Sequence, residues 1–496
     1  MAQQLFFSRD TKVYIKHGET VWDLPVLDGF SFSQATNSSE ITLAEMEGTG
    51  GVSRRGRKQF NDSLAPAEWS FSTYVRPFKS SGTGDGAADG SALTHAIEEV
   101  LWSLFLGGKS YSPTYDVFQE ATPVTVAASA AVVGTSYVIV GLGTTTQAQM
   151  NTLAGTSSLT YAAGDSILAA AGGAGNGTLE QVLNIPKTTQ SRFNADLSNS
   201  ATLGTADIFF VLGGSNRKVY KLKDAIVNEA SLDFDIDGIA TINWSGMSSE
   251  IIDMTGRTIT QAAIPTDTSV TADTTTVSAP DEATGHSGGD VWLDSNDSHR
   301  LHTILTTPSS ANCTVTGQIY ESTDSTSNFI RNRLTQLSVV PTTTNPTGDG
   351  SAELESSYSI VLTGGNITMT NNVTFITPEE IGLVNIPIGH VTGTRSVSGS
   401  MTCYLSKDTA ATNNSADLWE DLKGITSVVT NSFDLTFKIG GATSNTTRLE
   451  VNMPTCHLEI PTHSIEDVIS VETAFNALPS TIDGTNEATI TYFSKQ

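Results

Sequence analysis

The chain has 496 residues, 38% hydrophobic and 7% aromatic, and carries 26 lysines and arginines against 52 aspartates and glutamates, a net charge of -26. Its length accommodates two or three domains with their own cores. The acidity opposes wrapping by nucleic acid or docking on an anionic membrane, so a DNA partner would be one that the surface repels.

Met1 to Asp10 lacks a basic stretch followed by an apolar run, so no secretory leader is expected and the protein should be soluble when made. Glu68-Trp69-Ser70-Phe71-Ser72-Thr73-Tyr74-Val75 alternates with period two and reads as a strand. Before it lies the only basic cluster, Val52 to Phe60, with Arg54, Arg55, Arg57 and Lys58. Ser91 to Leu106 places Leu93, Ile97, Val100, Leu101 and Leu104 near helical spacing. From Ala121 to Gln190 the only charges are Asp165, Glu180 and Lys187, and runs such as Ser136 to Val140 read as strands of a small β module. Its most apolar stretch, Ala127 to Gly143, is interrupted by Ser, Thr and Gly and falls short of a membrane span. Asp207 to Gly214 then leads into a strand pair, Ala225 to Asp235 and Ile239 to Ser245. The irregular stretch Gly256 to Ser325 reads as a linker with a small β-rich lobe.

From there the pattern recurs. Ser398 to Leu405 repeats the Glu68 strand at an offset of 330, and Asn372 to Glu380 repeats Asn37 to Glu45 at 335. Ser415 to Leu422 supplies a second helix with a Ser cap, and Asp434 to Gly441 parallels Asp207 to Gly214. Met453 to Ile460 and Val468 to Phe475 form the matching final pair. The chain thus divides into a first module in two parts, residues 1–118 and 200–255, interrupted by an insert at 119–199, then a linker at 256–325 and a second module at 326–496. The predicted fold is mainly β with some helix (α+β): two tandem β-sandwich or half-barrel modules, each with one helix, plus inserted small β modules.

No chemistry outweighs its plain structural reading. Asp294 to His299 with His302 is the best metal candidate but lacks the glycine and closing glutamate of a calcium loop. His457 and His463 flank Cys456 without a recognisable oxyanion loop or orienting acid. Gly213-Gly214 and Gly440-Gly441 each join two strands, without the helix a phosphate cradle needs, and read as hairpin turns. Cys313, Cys403 and Cys456 are odd in number and far apart, which suggests free thiols in a reducing cytoplasm. No catalytic, cofactor-binding or metal-binding residue is therefore expected.

Gly56 to Leu64 followed by Ala67 to Tyr74, and in the second copy Ile386 to Gly389, Thr392-Gly393 and Ser398 to Leu405, resemble the tail tube protein of long-tailed siphophages whose subunit is a fused duplication. The resemblance spans roughly residues 1–110, 205–250 and 326–496. It implies a structural virion protein in which three subunits close a pseudo-sixfold ring and rings stack into a tube. The implied partners are further copies of itself, tape measure protein and genomic double-stranded DNA in the lumen, and tail tip and terminator proteins at the ends. It implies no membrane insertion, and a place in the virion tail after assembly in the host cytoplasm.

Within that frame, alternation packs Trp69, Phe71, Thr73, Val75, Gly399, Met401, Cys403 and Leu405 on the helix. Ser70, Ser72, Tyr74, Ser400, Thr402 and Tyr404 then face the channel. Leu232, Phe234, Ile236, Leu458 and Ile460 are expected on the buried side, which turns Asp233, Asp235 and Glu459 to the lumen. The loop with Arg54, Arg55, Arg57 and Lys58 is expected to reach acidic groups of the adjacent ring. A distal tail or baseplate hub ring, and a β-module cell-surface adhesin, are the competing readings.

Overall fold

The computed structural model describes residues 5–42, 57–79, 93–120, 122–187, 190–194, 203–214, 217–261, 274–278, 285–294, 300–307, 312–320, 329–342, 357–378, 384–407, 414–424, 432–441, 446–465, 468–480, 484 and 486–494. The fold is mainly β, with three α-helices among these residues.

In the first half the principal strands are β1 (Lys12–His17), β2 (Thr20–Leu24), β3 (Ser31–Ser33), β4 (Thr36–Thr42), β5 (Arg57–Leu64) and β6 (Ala67–Tyr74). After helix α1 (Glu99–Leu106) come β7 (Ala206–Leu212), β8 (Lys218–Asp235), β9 (Thr241–Ser248) and β10 (Glu250–Asp253). The second half has β11 (Gln336–Pro341), β12 (Tyr358–Ile360), β13 (Leu362–Thr370), β14 (Thr374–Ile376), β15 (Gly389–Val391) and β16 (Ser396–Tyr404). Helix α3 (Ser415–Gly424) precedes β17 (Phe433–Ile439), β18 (Arg448–Leu458), β19 (Thr462–Ser464), β20 (Ser470–Ala477) and β21 (Thr489–Phe493).

The two halves share one pairing scheme. β1 pairs with β2 and β7, as β11 pairs with β12 and β17. β8 pairs with β7, β9 and β10, as β18 pairs with β17, β20 and β21. β6 lies between β9 and β3 as β16 lies between β20 and β13, and the β4–β5 hairpin matches β14–β15. Every one of these pairs is antiparallel.

The long strands β8 and β18 each serve two layers. The first half of β8 belongs with β7 and β10; Asp224 then takes a positive φ of 51°, and a register shift follows between Val227 and Glu229. A bulge adds local twist and bends the strand, so the second half of β8 joins β9 in the other layer. β18 shifts register between Phe433 and Leu435 of its partner, then passes from β17 and β21 to β20. A single hydrophobic core spans both halves and both helices.

One expectation needs correction here. The helix read over Ser91 to Leu106 is shorter: Thr94–Ala96 is a strand paired with Pro77–Lys79, and α1 begins only at Glu99. Every residue of α1 is buried, including both polar ones, because the helix is enclosed on all sides. The inserted stretch also contains a helix, α2 (Gln147–Leu153), with a capping box between Thr146 and Gln149. Its four-stranded sheet has its own core around Tyr137, Ile139, Met150 and Leu179. The strands that follow, Asn184–Pro186 and Gln190–Asn194, pair with each other. The second of them pairs with β21 and extends the layer of β17, β18 and β21.

In the 256–325 stretch, Thr258–Gln261, Val291–Asp294 and Arg300–Thr303 make a small sheet whose Val291, Leu293 and Leu301 pack on Tyr14, Phe209 and Val219. Asn312–Tyr320 runs parallel to β2, so this lobe extends and covers the layer of β1, β2 and β7.

Candidate functional site: a continuous sheet with one polar face

The two halves meet edge to edge. β8 pairs with β13 from Glu229↔Thr370 to Asp235↔Gly364. This joins β3, β6, β9 and β8 to β13, β16, β20 and the end of β18 in one antiparallel sheet, with β19 along β20. The sheet is open. Among the described residues β3 is paired only with β6, and β19 only with β20.

Strand alternation gives this sheet two unlike faces. The buried face carries Trp69, Phe71, Thr73, Leu232, Phe234, Ile367, Met401, Cys403 and Phe475. Three aromatic rings lie over glycines of the neighbouring strand: Trp69 on Gly246, Phe234 on Gly365 and Phe475 on Gly399. A Cβ at Gly399 would stand 2.1 Å from the Asn366 carbonyl oxygen and 2.7 Å from the Phe475 ring. Thr73, a polar residue on this face, accepts a 3.0 Å hydrogen bond from Trp244 Nε1.

The opposite face is hydroxylated and acidic. Ser70, Ser72, Tyr74, Ser400 and Thr402 are half-buried, and Tyr404, Asp233 and Asp235 are exposed, all on this side; Glu459 is exposed just past the end of β18, where its N–H donates to the Ala474 carbonyl at 2.9 Å. Sequence reasoning missed three further carboxylates in the same layer: Glu68 and Glu229 by register with β9, and Glu472 opposite Thr402. Register from the neighbouring strands was the missing signal. No lysine or arginine occupies this face in the paired segments of the sheet. Its polar groups bond to one another: Ser72 Oγ donates to Asn243 Oδ1 at 2.6 Å, and Asn243 Nδ2 donates to Asp233 Oδ2 at 3.2 Å, across three strands. Ser31 and Ser70 hydroxyls are 2.8 Å apart, and Ser400 N–H donates to Asn366 Oδ1 at 2.8 Å.

Ile236 and Ile460 do not lie on the buried side as expected. Both are exposed, because β8 ends at Asp235 and β18 at Leu458, and beyond those points alternation no longer applies. Leu405 is half-buried against the core.

Arg57 and Lys58 stand in β5 of an exposed two-stranded hairpin, whereas Arg54 and Arg55 lie outside the described residues. Arg57 pairs with Glu40 at 3.5 Å, and Lys58 Nζ sits 5.5 Å from the Phe60 ring centroid. In the metal candidate, Asp294 and His302 are buried, His302 Nδ1 lies 2.9 Å from the Thr316 carbonyl, and residues 295–299 lie outside the described set. Cys456 is buried and burial pushes its thiol well up, while His463 packs edge-on to Trp419 at 5.3 Å. That arrangement is structural. The Gly213 and Gly440 pairs are turns with positive φ, 87° at Gly213 and 103° at Gly440.

A buried polar cluster locks α1 to the last strand of the second half. Trp102 Nε1 donates to the Tyr492 hydroxyl at 2.7 Å, and that hydroxyl donates to Glu98 Oε1 at 2.6 Å. Burial, only partly offset by the Tyr492 bond, pushes the Glu98 carboxyl up to about 7. His95 faces Glu99 at 2.9 Å and Asp116 at 2.8 Å. Burial disfavours its charged form, but Asp116 and Glu99 together outweigh it and hold the imidazolium well above its usual range.

No family model matches the chain. The chain is similar to "Tail tube protein pb6" of Escherichia phage T5, 24% identical over 495 residues, which cover 98% of this chain and 75% of that protein.

Proposed function

We propose that this chain, a homologue of a siphophage tail tube protein, is a structural subunit of a phage tail tube and not an enzyme. The observation that supports the reading is the open amphipathic sheet, in which β8 and β13 join the two halves edge to edge.

The halves are read as a duplicated module, 1–118 with 200–255 and then 326–496. By pairing partner, Ser31 corresponds to Asn366, because Ser31 opposes Ser70 and Asn366 opposes Ser400. Likewise Asp233 corresponds to Ser464, through Thr241 and Ser470. The internal junction pairs Asp233 with Asn366, Leu232 with Ile367 and Ser231 with Thr368. Repeating it between chains pairs Ser464 with Ser31, His463 with Phe32 and Thr462 with Ser33 of the next copy. Exposed strand edges invite such pairing, and closing the ring removes them. Three chains, each contributing two modules, then make a pseudo-sixfold ring, and stacked rings make the tube of a virion tail.

The polar face lines the lumen in this reading. Duplex DNA carries about one negative charge per 1.7 Å, so a wall of carboxylates and mutually bonded hydroxyls without cations repels it and offers few free donors to phosphate. Genomic DNA passes without sticking during ejection. Tape measure protein occupies the same channel before that, and tail tip and terminator proteins cap the ends. Assembly takes place in the host cytoplasm. No helix among the described residues is long and apolar enough to cross a membrane.

Thr462→Cys combined with Ser33→Cys tests the reading, because directly opposed residues have Cβ atoms about 4.5–5.5 Å apart. Mild oxidation is expected to yield chains linked to one another up to a closed three-chain species, reversed by reductant, while either single variant stays unlinked. Electron micrographs of the wild type should show long tubes. Single rings would favour a hub protein, and an unlinked double variant that still forms rings would refute the register.

A further inference from the structure

The excursion that carries the inserted module leaves the first half after α1 and returns just before β7. Its two ends lie side by side: a Cβ on Gly108 would stand 2.0 Å from the Gly204 Cα, and one on Gly204 2.3 Å from the Gly108 Cα. Only glycines let two backbones pass this closely, and Gly108 also takes a positive φ of 63°. His17, the last residue of β1, bridges the same two segments. Its Nε2 lies 2.9 Å from the Lys109 carbonyl oxygen and its Nδ1 3.2 Å from that of Thr205, and the residue is 8% exposed.

The second half makes the same junction without an imidazole, and there a short link joins α3 to β17. By pairing partner His17 corresponds to Pro341 and Thr205 to Ser432, because Lys16 opposes Asp207 as Val340 opposes Asp434. The Ser432 carbonyl accepts from the Thr342 N–H and from the Thr342 hydroxyl, both at 3.0 Å. Neither donor titrates. A neutral imidazole has a single N–H, so at His17 one of the two carbonyls faces a bare nitrogen. Protonation supplies the second donor, but burial costs the charge more than the Thr205, Lys109 and Gly108 carbonyls return. Lys16 adds to that cost, and the ring lies below its ordinary 6.5. The other charges around it are Glu19 on the exposed β1–β2 turn, Lys109 joined to Glu120, and Asp207 joined to Lys221. A cavity of about 420 Å³, lined by His17, Glu19, Ser110 and Glu120, opens beside the ring.

We propose that His17 is a proton-sensitive latch at the root of the excursion: taking up a proton frees the Lys109 and Thr205 segments from each other and loosens the footing of the inserted module. The latch works within a single chain, so it stands or falls apart from the ring and the tube. An opened root lets water hydrate the imidazolium, whereas the closed root encloses it, so the opened form holds the proton more tightly. Closure is therefore complete above pH 6.5 and weakens as pH falls below it. The module keeps its own core around Tyr137, Ile139, Met150 and Leu179, so it moves as a unit.

Hydrogen exchange of the full chain, read by mass spectrometry at about pH 5 and about pH 7.5 and normalised to intrinsic rates, follows local opening of the root. Segments 107–112 and 203–208 should exchange several-fold faster in acid, while β17, which follows the matching junction of the second half, should not change. In His17→Gln the amide nitrogen offers two N–H groups and nothing titrates, so protection of the root should be equal at both pH values. Unchanged protection of the wild-type root, equal loosening of β17, or a glutamine variant that still loosens in acid would overturn the latch. The first two outcomes are read on the wild type alone, so they decide the matter even where the variant fails to fold.

Discussion

Replacing Glu98 with glutamine should remove a pH dependence from the stability of the unassembled protein. Glu98 is fully buried, one oxygen accepts from the Tyr492 hydroxyl, and the other has no hydrogen-bond partner among the described residues. Burial raises its carboxyl from 4.5 to about 7, and at 1.36 kcal/mol per unit this amounts to about 3 kcal/mol. The folded state holds this proton more tightly than the unfolded chain does. Its stabilising contribution is therefore complete below pH 4.5 and is lost as pH rises through about 7. In Glu98→Gln the amide oxygen still accepts from Tyr492 and nothing titrates. Urea unfolding followed by tryptophan fluorescence, which Trp102 beside Tyr492 reports directly, would be run from pH 5 to 9 on both proteins. The glutamine variant should lead the wild type by about 1 kcal/mol near pH 5, where the unfolded chain already releases this proton, and by about 3 kcal/mol at the alkaline end. A difference that stays constant across that range would refute the assignment of a neutral buried acid.

His95→Leu should cost about 3–5 kcal/mol in the same unfolding assay, because it leaves Glu99 and Asp116 buried without their shared cation. Gly399→Ala should lower stability by about 1–3 kcal/mol or prevent folding, since its Cβ meets a backbone carbonyl that cannot move aside. Asp233→Lys with Glu472→Lys should leave tubes intact and slow DNA release from assembled particles; unchanged ejection kinetics would count against an acidic channel wall.

Several features were legible from residue order because they depend on near neighbours. The alternation in Glu68 to Tyr74 and Ser398 to Tyr404 recurs as alternating burial, since side chains of a strand must point to opposite sides whatever the strand pairs with. Glycine pairs after Leu212 and Ile439 announced turns for the same local reason. The alternation argument failed at Ile236 and Ile460, where strands end, and the helix was over-extended at Thr94, where pairing with Pro77–Lys79 overrides an apolar spacing that also suits a helix. Glu472 escaped notice because its face follows from Thr402 on the adjacent strand.

The amino-acid sequence alone determined the β-rich class, the internal repetition at offsets of 330 and 335, and which residues of each strand are hydroxylated or acidic. Only the tertiary structure decided that β8 and β13 fuse the two halves into one sheet, that the strand at Gln190–Asn194 returns to β21, and that in the core Tyr492 meets Glu98 and Asp116 meets His95. The physical reason is range. Side-chain alternation is written into consecutive residues, whereas edge pairing and buried charge clusters join segments up to 394 positions apart, and nothing in either segment specifies its partner until the core closes around them.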